Sequence, residues 1–66
     1  MSTFEIHATV NRAYYEKRGR WVVEHAIESM SRALGHQPVV LASELRNEPK
    51  GKLIEMAMSY HRQMPE

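Results

Sequence analysis

The sequence predicts an α+β, mainly helical fold in one small domain: an N-terminal strand, a long helix and a second, shorter helix, closed as an intertwined homodimer. Three observations carry this expectation. The first residues alternate apolar and polar types with period two, as a half-buried strand does. Two later stretches repeat apolar residues three and four positions apart, the period of an amphipathic helix. The chain has only 66 residues, and one of that size buries only about 60% of the surface its unfolded form exposes. With no cysteine it has neither a disulfide framework nor a thiolate zinc site. A second copy of the chain is therefore the expected source of further burial.

The strand is placed at about 3–9, where Phe4, Ile6, Ala8 and Val10 alternate with Glu5, His7 and Thr9. A helix capped by Thr3, with Phe4 and Ala8 four apart, is the competing reading; it puts Ile6 and Val10 off the apolar face. The long helix is placed at about 11–34. Asn11 is a good N-cap, no proline intervenes before Leu34, and Gly35 with Pro38 beyond it supplies the stop. At about 100° per residue, Tyr15, Val22, Val23, Ala26, Ile27, Met30, Ala33 and Leu34 fall in one stripe about 140° wide. Gly19 lies in the middle of that stripe, where glycine costs roughly 1 kcal/mol against alanine. It reads as a close approach of another backbone, as a kink, or as a division of the helix in two. An unbroken helix here would be roughly 36 Å long, more than a compact globule of this size covers. The two long helices of a dimer are accordingly expected to pack through Gly19, Val22, Ala26 and Met30.

The run Val39-Val40-Leu41-Ala42 is too short to type; it is either extended or the start of a helical turn continuing to Leu45. The second helix is placed at about 49–63. Asn47 is available to cap, Pro49 is tolerated in the first turn, and Pro65 ends it. Leu53, Met56, Ala57, Tyr60 and Met64 form its stripe, which Ile54 and Met58 widen to about 200°, more than one neighbouring helix requires. The core and dimer candidates are Phe4, Ile6, Gly19, Val22, Val23, Ala26, Met30, Leu53, Met56 and Tyr60. Residues 1–66 form one domain, with no repeat or internal linker.

Little here suggests catalysis. Every acid is glutamate, so calcium loops and aspartate-based dyads are missing. The four histidines, at 7, 25, 36 and 61, make no H-E-x-x-H pair. The serines sit in no nucleophile elbow, and the three glycines make no phosphate-cradling loop. No catalytic residue, metal site or cofactor is expected. Nor is a membrane span: no apolar run approaches eighteen residues, and Met1-Ser2-Thr3-Phe4-Glu5 lacks the organisation of a signal peptide. The expected compartment is the cytoplasm. The net charge of +1 gives no global field for nucleic acid.

One stretch is locally basic and aromatic together, Arg12-Ala13-Tyr14-Tyr15-Glu16-Lys17-Arg18-Gly19-Arg20-Trp21. On a single helical wheel Tyr14, Arg18, Trp21, His25 and Arg32 fall opposite the core stripe. Trp, Tyr and Arg dominate interface energetics, so these five are the candidates for a partner surface. In a nucleic-acid version Lys17, Arg18 and Arg20 would meet phosphates and the rings would stack on bases. The structural alternative is that Trp21 and Tyr14 are covered within the fold or by a second subunit. Met56, Met58 and Met64 read as core filling or as the wall of an adaptable cleft.

The order of strand, long helix and short helix resembles the ribbon-helix-helix repressors, which dimerise through an N-terminal strand. Their first helix is much shorter, and the outward strand positions Glu5, His7 and Thr9 include an acid where a base-reading strand would meet DNA. The run Val10-Asn11-Arg12-Ala13-Tyr14-Tyr15-Glu16-Lys17-Arg18-Gly19-Arg20-Trp21-Val22-Val23-Glu24-His25 also resembles the small early proteins encoded between the exonuclease and excisionase genes of lambda-like temperate bacteriophages. The likeness is one of size, style and segment order. It implies a homodimer of two helices and one strand per subunit, made early in infection and favouring lytic development in the bacterial cell. The expected function is thus a non-enzymatic regulatory protein that binds a host protein, the alternative being a small dimeric DNA-binding regulator.

Overall fold

The computed structural model describes residues 12–64. Helix α1 covers 12–17, α2 covers Arg20–Ala33 and α3 covers Lys50–Gln63, with a 3-10 turn at Ala42–Leu45 before α3. This corrects the α+β expectation: among the described residues every regular element is helical and none is a strand, so the class is mainly helical. The strand expected at about 3–9, with Phe4 and Ile6, lies outside the described residues. The Val39–Ala42 run, the other short apolar segment, builds no ladder. Its backbone donors go to side chains of α2, Val40 N–H to Ser31 Oγ at 3.0 Å and Ala42 N–H to Glu28 Oε1 at 2.8 Å. A segment whose N–H groups are satisfied this way has no need of a partner strand.

The helix expected over about 11–34 is interrupted at Arg18 and Gly19. Gly19 is the N-cap of α2, at φ −67° and ψ 158°, a conformation open to any residue. Lys50 reaches back from α3 to the carbonyls that close α1, donating to Glu16 O at 3.1 Å and to Arg18 O. A cation is well placed there, because the end of a helix leaves carbonyls unpaired and carries partial negative charge. At the other end of α2, Gly35 N–H donates to Arg32 O and His36 N–H to Ser31 O, both at 3.1 Å. This is a Schellman stop, and it requires the left-handed backbone that Gly35 adopts at φ +76°.

Helices α2 and α3 pack against each other. The core combines Val23, Ile27 and Met30 of α2 with Leu53, Ile54, Ala57 and Met58 of α3, Leu45 of the 3-10 turn and Tyr15 of α1. The α2 stripe expected to meet its counterpart in an intertwined dimer is therefore covered by the same chain's α3. The wide apolar arc of α3 has two neighbours, which explains its width. While α2 covers one side, α1 is held to α3 by the Tyr15 hydroxyl, 2.7 Å from His61 Nε2, and by the Arg12–Glu55 ion pair at 2.7 Å. Of the remaining core and dimer candidates, Val22, Ala26, Met56 and Tyr60 are half-buried and Gly19 is exposed.

Candidate functional site

The partner-surface candidates divide at the helix break. Tyr14 and Arg18 belong to α1, one turn apart, and the Arg18 guanidinium lies 4.9 Å from the centre of the Tyr14 ring. This is a cation–π contact that holds a long cationic side chain against an aromatic one. Trp21, His25 and Arg32 belong to α2. At about 100° per residue they point within about 40° of one another, on the side of α2 away from the core. All five side chains are exposed; Trp21 is the extreme case at 65%, with Tyr14 at 45%.

The Trp21 indole is nevertheless supported. Its edge lies against the α carbon of Gly19: a β carbon added there would sit 3.1 Å from Trp21 Cδ1 and 3.3 Å from Nε1. On the other side the His25 ring meets the indole edge to face, with centroids 6.2 Å apart. Glycine matters here for the room it leaves beside a ring rather than for its backbone angles. The aromatic surface is thus displayed in a held orientation, which lowers the entropy lost when a partner covers it.

The acids of α2 are drawn away from this face. Arg20 Nε donates to Glu24 Oε2 at 2.8 Å, while its Nη2 donates to the carbonyls of Leu45 at 3.0 Å and Glu48 at 2.6 Å. Glu28 accepts the Ala42 N–H, and its other oxygen is 3.6 Å from Arg32. Together with Ser31, these side chains clamp the 40–48 segment to α2. Glu24 and Ser31 are buried as a result, Ser31 completely. Helical periodicity does not reveal this clamp, because it counts polar residues as solvent-facing. A usable signal was the spacing: Arg20, Glu24, Glu28 and Ser31 follow one another at four, four and three, a polar stripe as regular as the apolar one.

Elsewhere, burial raises the Tyr15 phenol above its ordinary value, with a smaller contribution from Tyr14. The hydrogen bond and charge of Arg12 lower the Glu55 carboxyl, and Glu55 in turn raises the Arg12 guanidinium. Both pairs are structural ties between α1 and α3. Among the described residues, no group of three or more histidine and glutamate side chains is placed to hold a metal ion. No described helix is long and apolar enough to cross a membrane. In comparisons with known proteins, no family model, no curated protein and no solved structure matches the chain.

Proposed function

We propose that this chain is a non-enzymatic interaction protein that binds a partner protein through the exposed face formed by Trp21, His25 and Arg32, with Tyr14 and Arg18 beside it. The observation that carries the reading is Trp21, 65% exposed yet seated against Gly19 and His25. A tryptophan brings more apolar surface than almost any other residue, and displaying it in water has no benefit to the fold. Tryptophan and arginine are also the residues on which binding energy concentrates when a partner excludes water from them. The resemblance to phage early proteins makes a bacterial host protein the partner and the host cytoplasm the setting. The reason for a second copy is weaker than the sequence suggested, since α3 covers the α2 stripe.

Capture from bacterial lysate on the immobilised full chain tests this reading. A host protein retained by the wild type should be lost with Trp21→Ala, while the variant keeps its helical circular dichroism and its melting temperature. Retention of the same protein by Trp21→Ala would sink the proposal. Sedimentation equilibrium at micromolar concentration should give a mass near 7.7 kDa. A mass of twice that, returning to the single value with Trp21→Ala, would assign the face to a second copy instead.

A further inference from the structure

The proposed surface also carries information about the chemistry of its partner. Both acids of α2 are engaged on the loop side, Glu24 with Arg20 and Glu28 with the Ala42 N–H. On α1, Glu16 falls about 160° from Tyr14 at 100° per residue, on the opposite side of that helix from the ring and the arginine over it. The clamp thus sorts the charges of the two helices. Acids are held toward the 40–48 segment, and the outer face is left aromatic and cationic, with Arg32 and Arg18 at its two ends and His25 against the indole.

We infer that this face is a docking surface for an acidic polypeptide segment that carries an apolar residue for Trp21 to cover. The inference rests on the interaction reading above and adds the chemical class of the occupant. Charge complementarity supplies it: carboxylates fit the guanidinium groups at either end, and an apolar side chain between them fits the supported indole. Nucleic acid fits less well. A duplex is gripped by many phosphate contacts, each adding to the salt dependence, whereas this face offers two arginines and one histidine, and the third arginine of the region, Arg20, is committed to Glu24 and two carbonyls.

Calorimetric titration of the full chain with three probes tests the assignment: a peptide of sequence EELEEFEE, the same peptide with lysine at every glutamate, and a short duplex DNA. The acidic peptide should bind, the lysine peptide and the duplex should not, and added salt should weaken the acidic complex. Its Kd should rise about tenfold or more with Trp21→Ala and with Arg18→Glu, both variants remaining folded by circular dichroism. Equal binding of the lysine peptide, tighter binding of the duplex, or no binding of any probe would each overturn the acidic occupant. The lysate experiment separates this failure from failure of the interaction reading. A host protein captured through Trp21 but with no preference for the acidic peptide leaves an interaction protein whose partner has another chemistry.

Discussion

The two flanks of α2 are held in place by different physics. Toward α3 it presents Val23, Ile27 and Met30, which are buried with Leu53 and Ala57. Toward the 40–48 segment it presents Arg20, Glu24, Glu28 and Ser31, which hold carbonyls and N–H groups. The difference follows from what each neighbour brings. Helix α3 satisfies its own backbone and offers only side chains, so non-directional burial is enough. The 40–48 segment is mostly irregular, so its polar backbone needs partners once water is excluded. The first flank tolerates changes of shape better than changes of volume. The second should be sensitive to the loss of a single donor or acceptor.

Removing volume from the apolar flank should have the largest effect. Leu53 is fully buried, and Leu53→Ala should cost about 3 kcal/mol, within a usual range of roughly 2–5 kcal/mol. A 66-residue domain has about 3–10 kcal/mol in total, so urea denaturation should show a variant near the edge of folding. Leu53→Met, which nearly conserves volume, should cost under about 1.5 kcal/mol. A similar loss in both variants would mean that the seam depends on shape rather than volume.

On the polar flank, Arg20→Ala should cost about 2 kcal/mol, since charge-assisted hydrogen bonds to Glu24 and to two carbonyls disappear together. Arg20→Lys should recover little of it, because an ammonium cannot match the planar fork that serves three acceptors. Full recovery by lysine would reduce the role of Arg20 to that of a simple charge. Ser31→Ala should cost about 1 kcal/mol by leaving the Val40 N–H without its acceptor. Amide hydrogen exchange at Val40 should accelerate more than at Ile27; uniform acceleration would show that the two flanks unfold as one unit.

The smallest effect is expected at high pH. The Tyr15 phenol is held above its ordinary value of 10.0 by burial first and by Tyr14 second. The unfolded chain therefore loses this proton at a lower pH than the folded one. The contribution is fully present below about pH 10 and is lost as pH rises through the folded value. Tyr15→Phe should flatten that alkaline decline, and an unchanged decline would place its cause elsewhere.

The parts of this architecture that were legible in the sequence are those dictated by local chemistry. Pro49, the apolar spacing from Leu53 to Met64 and Pro65 place α3, and Gly35 marks the end of α2 because its left-handed stop excludes a β carbon. The break at Arg18 and Gly19 was one of three readings, since a glycine in an apolar stripe suits a kink and a close contact equally well. The candidate surface was assembled on one helical wheel, whereas Tyr14 and Arg18 stand on α1 and Trp21, His25 and Arg32 on α2. The α+β class rested on a period-two pattern near the N-terminus and lacks any strand among the described residues.

The sequence by itself determined where helices can run and which residues are apolar enough to form a core, because both depend on neighbours only a few positions away. Only the tertiary structure decided what covers what. The α2 stripe meets α3 of the same chain, the 40–48 segment buries Ser31 and Glu24, and Trp21 is left in the open against Gly19. Such pairings join residues far apart in the chain, and periodicity records which way a side chain points without recording what arrives to meet it.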